Sequence, residues 1–475
     1  MKNNRKKTLV KKYLCEKPFR LIPLLLALLL AQPLWANEAA RAAEQHRRDI
    51  LHFGTETEIA TLVQTLRNES DTSLDEELIR IAEDTRNRNI LAGIFNFFSD
   101  REESGLEDRA IRAIRERDYE ANETIFSAVD YLGRVNAAEA IDTLKELISS
   151  RETRFLNNAI RALGRAANGS EQAYQAALFL LDYYNNRNPS NENQREIIVA
   201  LGETRSDASL SFLVDMVRDE DERVVLRMAA LDALSQIGDP AGEEAVVEAV
   251  ASTDPAVRSA AIAALGPFSG EAAERAILDG FRDSYFRSRL GAARAAGERQ
   301  LESAVPFLRF RAHNDDVPAV RDASIRALGA INNSEAMSIL ETLFSERRNA
   351  DGVRVLAADM LLRNDADAFG TRVVTEMDYA NSRRQTALYN GFIRVLTTAQ
   401  SDSLEGLARR FISTGGIIER ALALELIVNN EFRHLADEVR ELLDETRTNA
   451  ALARRARTTL ERLGLAVEIE PDADA

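Results

Sequence analysis

Apolar residues recur along this chain at helical spacing, and the arrangement itself repeats. Val257, Ala261, Ala264 and Leu265 fall on one face of a 3.6-residue helix. The run Ala256-Val257-Arg258-Ser259-Ala260-Ala261-Ile262-Ala263-Ala264-Leu265-Gly266 returns as Ala319-Val320-Arg321-Asp322-Ala323-Ser324-Ile325-Arg326-Ala327-Leu328-Gly329, with Arg289 to Gly297 between them in the same frame. An arginine slot occurs at Arg227, Arg258, Arg289, Arg321 and Arg354, at steps of 31, 31, 32 and 33 residues. A glycine closes the frame eight positions later at Gly266, Gly297 and Gly329. Tyr131-Leu132-Gly133, Arg161-Ala162-Leu163-Gly164 and Val199-Ala200-Leu201-Gly202 keep the end of the pattern, and weaker copies follow around Arg384 to Gly391, Arg420 to Val428 and Arg462 to Gly464. Self-similarity of this period predicts a stack of about eleven or twelve units between residues 54 and 465.

Each unit reads as two short antiparallel helices. In the first, Asp254 is an N-cap whose carboxylate accepts from free N–H groups, and Pro255 suits the first helical position. Gly266 is expected to be a left-handed stop. In the second, Met337, Leu340, Leu343 and Phe344 form the apolar stripe after an Ile331-Asn332-Asn333 turn. Alanines at inner positions let neighbouring helices approach closely. One pair cannot bury its stripe alone, but stacked pairs share a continuous core.

The frame Asp-Pro-x-Val-Arg-x-x-Ala-x-x-Ala-Leu-Gly, with Ala304-Val305-Pro306-Phe307-Leu308 downstream, resembles HEAT repeats of the short bacterial type also found in phycobilisome-lyase proteins. The resemblance covers residues 205–365 well and the flanks more loosely. It implies an all-α fold, a HEAT-like α-solenoid in which antiparallel helix pairs wind a right-handed superhelix. Tetratricopeptide repeats are the runner-up, but their Trp and Tyr signature is missing, since the sole tryptophan, Trp35, lies outside the repeats.

The first 36 residues follow another pattern. Eight basic residues and one acid, Glu16, lead into the apolar run Leu21 to Ala31, and Gln32-Pro33-Leu34-Trp35-Ala36 follows. These are the parts of a secretory signal peptide, with cleavage expected after Ala36 and an uncleaved anchor as the alternative. The apolar run is shorter than the about 20 residues of a membrane span. Cys15, the only cysteine, precedes the apolar core, so it is misplaced for lipidation, and a chain starting at Asn37 forms no disulfide. The expected organisation is a signal at 1–36, less regular repeats at 37–185, a polar Asn-rich loop at 186–194, regular repeats at 195–465 and an acidic disordered tail at 466–475. The loop accounts for the long 38-residue step from Gly164 to Gly202.

Charge narrows the partners. The whole chain carries −16 at neutral pH, and without its basic leader the remainder is near −23, with Lys145 its single lysine. Such a surface repels nucleic-acid backbones and anionic lipid heads. The expected partner is therefore a protein, held along the concave face, with no nucleic acid, no membrane insertion after cleavage, and self-association possible.

The search for chemistry returns structural readings. The arginine ladder is expected to pair with acids near the turns, Arg258 with Asp254 or its equivalent in the next unit. Asp365, Asp367, Gly370 and Glu376 match four positions of a calcium-binding loop, but Phe369 stands where an oxygen ligand is needed, and the segment coincides with a turn. His46 and His52 are six apart, off-face for a helical zinc pair; His313 and His434 are isolated, and Glu243-Glu244 reads as a solvated helix face. Two aromatic clusters, Phe95, Phe97 and Phe98, and Phe179, Tyr183 and Tyr184, are mostly core, any exposed member being a candidate anchor. No catalytic, cofactor-binding or metal-ligating residues are assigned, and no cofactor is expected. The function expected is an exported scaffold or adaptor for protein–protein interaction in the cell envelope, periplasmic or extracellular. The alternatives are a bilin-lyase-like enzyme or chaperone, from the repeat resemblance alone, and a self-associating architectural envelope protein.

Overall fold

The computed structural model describes residues 44–150, 152–443 and 448–465. The expected signal and its cleavage point, and the acidic tail, lie outside the described residues. The described residues divide into two compact units, Arg47–Ala408 and a smaller one that holds those from Arg409 onward. The boundary at 408 falls inside the block expected to be one regular array.

In the larger unit the helices form two rows, an α-solenoid. The first row contains Glu56–Glu69, Arg88–Asp100, Asn122–Arg134, Leu156–Ala167, Asn191–Glu203, Val224–Ile237, Pro255–Ala263, Phe286–Glu298, Pro318–Ile331, Asp351–Asn364 and Thr386–Thr398, each packed on the next. The second row contains their partners, from Asp75–Asp84 and Glu107–Arg115 through Ile141–Ser149, Ala173–Asn186, Leu210–Arg218, Glu243–Ala249, Glu271–Gly280, Val305–Asn314 and Ser334–Ser345 to Ala366–Ser382. Between the rows runs the core that the periodicity predicts, with Val257, Ala261, Leu265, Leu340, Leu343 and Phe344 all buried. In the smaller unit, Ile417–Asn429 packs on Ala450–Arg462. Among the described residues no helix is long and apolar enough to cross a membrane.

Asp254 caps its helix as read, accepting from the N–H groups of Ala256 at 2.7 Å and Val257 at 3.3 Å, with Pro255 next. The recurring glycine is a correction. Gly266 is not left-handed, and Gly297 and Gly329 lie within helices. The left-handed stop comes three residues after the glycine, at Asn136 (φ 52°), Arg205 (50°), Gln300 (50°) and Asn332 (50°). The glycine instead faces the next first-row helix. A Cβ on Gly133, Gly164, Gly202 or Gly297 would lie 2.9, 2.7, 2.7 or 3.0 Å from the backbone of Ala162, Ala200, Ala233 or Ala327. Gly329 meets the Met360 side chain, and Gly266 the Glu298 side chain. These glycines hold the row together because a side chain there would wedge its helices apart.

Three further segments bear on the sequence reading, and the first differs from it. Asn191–Asn193 belong to a helix, because the Ser190 hydroxyl accepts from the Asn193 N–H and starts it there. The polar loop therefore shrinks to 187–190, and the extra residues lengthen Ala173–Asn186 to 14 residues. Asp367, Gly370 and Glu376 all lie in helix Ala366–Ser382, which Asp365 caps through the Ala368 N–H at 2.9 Å, so no calcium loop forms. Phe95, Phe97 and Phe98 are wholly buried, which removes them as anchors.

Candidate functional site

The arginine ladder is the first set of site residues to place. Arg227 is buried and donates twice to the Val217 carbonyl, at 3.1 and 3.0 Å. Arg258 donates to Asp283 at 2.6 Å and to the Ser252 carbonyl at 2.8 Å. Arg289 binds Asp315 at 2.7 and 2.9 Å, Asp316 at 2.9 Å and the Asp283 carbonyl at 3.1 Å. Arg321 reaches the Asp315 carbonyl at 2.7 Å, and Arg354 the Phe344 carbonyl at 2.9 Å and Glu376 at 2.7 Å. Arg258 thus takes the acid of the next unit, while Asp254 serves as a cap.

Each acid has two duties. Asp283 and Asp315 cap the following turn through the N–H groups of Tyr285 at 2.7 Å and Val317 at 3.0 Å, while holding the arginine of the preceding unit. Burial pushes both carboxyls up, but the arginine hydrogen bonds and backbone N–H groups outweigh it and hold them below the ordinary aspartate range. This ladder leaves its guanidinium groups spent on the fold. Arg109, outside the frame and invisible to it, is a further member of this kind. It is buried against the Ala82 carbonyl at 2.8 Å and Glu120 at 2.8 Å.

A different arrangement covers the outer face of the first row between residues 122 and 205. Here polar side chains bond from one helix to the next: Asn158 to Asp130 at 2.9 Å, Asn157 to Glu192 at 2.9 Å, Arg161 to Glu196 at 2.9 Å and Arg165 to Glu203 at 3.1 Å. At its edge lies a groove of about 410 Å³ lined by Glu102, Arg134, Asn136, Arg165, Glu203, Arg205 and Gln236. Glu203 is half-buried; its Oε2 is buried and has no hydrogen-bond partner. Burial pushes its carboxyl up against the pull of Arg165. Arg134 and Arg205 make no ion pair among the described residues. The groove therefore offers the exposed Glu102 carboxylate and two guanidinium forks, the donors and acceptors that an extended backbone or a polar side chain needs.

Sequence reasoning missed Glu203, because a single carboxylate in a helical frame gives no sign of burial. It also missed Phe310, which stands 56% exposed on helix Val305–Asn314. A signal existed. Val305, Leu308 and Ala312 form that helix's buried stripe, and Phe310 lies off it. Of the second aromatic cluster, Phe179, Tyr183 and Tyr184 are all half-buried, with Tyr184 edge-on to Phe212 at 5.0 Å. The four histidines are exposed, and His313 Nδ1 contacts the Arg309 carbonyl at 2.9 Å.

The sequence matches a family described as Spirochaete HEAT repeat protein over residues 51–459. No curated protein matches it. Among solved structures it is similar to human deoxyhypusine hydroxylase in complex with glycerol, at 19% identity over 48% of this chain and 98% of that one, with a TM-score of 0.22. It is also similar to Kap121p (11% identity, 88% of this chain and 53% of that one, TM-score 0.41) and to importin beta (12%, 95% and 73%, 0.38). The chain spans about half the length of Kap121p. At these identities the similarities carry no activity, ligand or partner over to this chain.

Proposed function

On the premise that this chain belongs to the spirochaete HEAT repeat family, we propose that it is an exported scaffold that binds a protein partner in the cell envelope, along the outer face of its first helix row. The carrying observation is the cross-repeat polar ladder from Asp130 to Glu203. A surface whose side chains are already fixed to one another loses little conformational freedom on binding, so more of the contact energy is left for affinity. Glycine meets alanine between successive first-row helices, and this close approach is the reason for taking the first-row face as the concave one. The basic leader with its apolar run supports export, and the acidic balance of the remainder favours a protein over a nucleic acid.

The test uses a photo-crosslinking amino acid in intact cells, placed at Asn158 or Arg161 on the first-row face and at Glu146 or Gln175 on the second row. Covalent attachment of one defined protein to the first pair alone is the expected result. Equal labelling from both rows, or none from the first, overturns the reading. Export is checked separately by sequencing the N-terminus of protein recovered from fractionated cells, which should begin at Asn37.

A further inference from the structure

The second row carries a feature that the first-row reading leaves unused. Helix Val305–Asn314 buries Val305, Leu308 and Ala312 against the core, yet presents Phe310 to solvent at 56% exposure. Grooves open on both sides of that ring. One, about 310 Å³, is walled by Phe281, Pro306 and Phe307 towards the preceding helix. The other, about 640 Å³, runs towards helix Ser334–Ser345 over Ile339 and Thr342. Phe281 and Phe307 stack at 5.6 Å, and Arg282 lies 4.9 Å over the Phe307 ring with most of its side chain in water.

The charge around the ring runs against that of the chain. Arg282 and Arg311 line the first groove; Arg309 lines the second with the exposed His313. Glu335 is the only carboxylate lining either groove. Arg309 makes no ion pair among the described residues; Arg311, 5.3 Å from the Phe310 ring, pairs with Asp315 at 3.4 Å, and Arg282 pairs with Asp279 at 2.9 Å in an exposed contact that a partner's carboxylate can replace. A protein with 77 acidic and 61 basic side chains has gathered cations around an exposed aromatic. Aromatic and arginine side chains in this combination dominate binding energy at protein interfaces. Adjacent helices pack 8–10 Å apart, so three second-row helices cross about 20 Å, the length of about thirteen residues of α-helix.

We propose that the paired grooves beside Phe310 dock an acidic segment of a partner protein, with apolar side chains seated on either side of the ring and carboxylates meeting Arg282 and Arg309. The site is independent of the first-row face, and either can fail without the other. A display library of randomised 14-residue peptides, panned against the full chain with the Phe310→Ala variant as soluble competitor, tests it. Enriched sequences should combine Glu or Asp with Leu, Ile or Phe. By fluorescence anisotropy, a labelled peptide from the pool should bind about tenfold more weakly to Phe310→Ala, as expected when a central aromatic anchor is lost. Arg309→Glu should weaken it at low salt more than at high salt. Tyr119→Ala, which removes another exposed ring, should leave it unchanged. Basic or uncharged sequences, or affinity indifferent to Phe310→Ala, overturn the proposal. So does equal competition by a single-stranded DNA oligonucleotide, which would make the patch a general polyanion site.

Discussion

Replacing Gly202 by alanine tests what the recurring glycine does. The added Cβ would lie 2.7 Å from Ala233 Cα and 2.9 Å from its Cβ. Carbon atoms rest comfortably at 3.5–4.0 Å, so helices Asn191–Glu203 and Val224–Ile237 would have to separate by about 0.8 Å or more. Overpacking of this kind costs about 1–3 kcal/mol, while exchanging glycine for alanine within a helix returns about 1 kcal/mol. The expected net effect is a loss of about 0–2 kcal/mol. The discriminating variant is the pair Gly202→Ala with Ala233→Gly, which moves the methyl group to the other helix and restores the approach. Urea unfolding of the full chain followed by circular dichroism reads global stability. Amide exchange in residues 191–203 and 224–237 reads the interface itself, because long repeat arrays can unfold in parts. A coupling of at least about 1 kcal/mol between the two sites is expected. Simple additivity of the two single changes would refute the contact role.

Three further outcomes follow from the ladder and the groove. Asp315→Asn should cost about 2–3 kcal/mol, less than the about 3–5 kcal/mol for breaking a buried pair because Arg289 keeps Asp316 and two carbonyls; a urea midpoint no lower than that of Asp316→Asn would contradict it. Because Asp283 and Asp315 titrate below the ordinary aspartate value, their stabilising contribution is full above about pH 4 and is lost as pH falls through their lowered values. Melting temperature should fall steeply below pH 4, and less steeply in the double asparagine variant. Glu203 has the opposite sign: its raised value means stability present at low pH and lost as pH rises through it. Glu203→Gln should therefore melt higher than the parent at pH 7, the two converging near pH 4.

Helical rows, the core stripe and the arginine slots were legible because each rests on a repeated spacing, and repetition averages out local ambiguity. Asp254-Pro255 was legible because capping is chemistry between near neighbours. What failed depended on something across space. The frame-closing glycine reads as a helix stop when only its own stretch of sequence is considered, yet its reason is the alanine 29–36 residues later. The true stops at Arg205 and Gln300 carry no turn chemistry, so nothing in the residue announced them. Asn191 to Asn193 looked like loop by composition, but Ser190 supplied the cap that turned them into a helix. The sequence shows the Phe310 ring but not its grooves, which require three helices side by side.

The dual role of Asp283 and Asp315 bears on how such a chain can change over generations. Each aspartate closes the turn before the next helix and grips the arginine before it, and the two positions are equivalent. Excising the segment between them would offer Arg258 the carboxylate of Asp315 in place of that of Asp283, in the same setting. Duplicating it would insert one more identical rung. Array length can therefore drift by unequal recombination without any new joint having to be invented, while the exposed positions on each copy remain free to diverge.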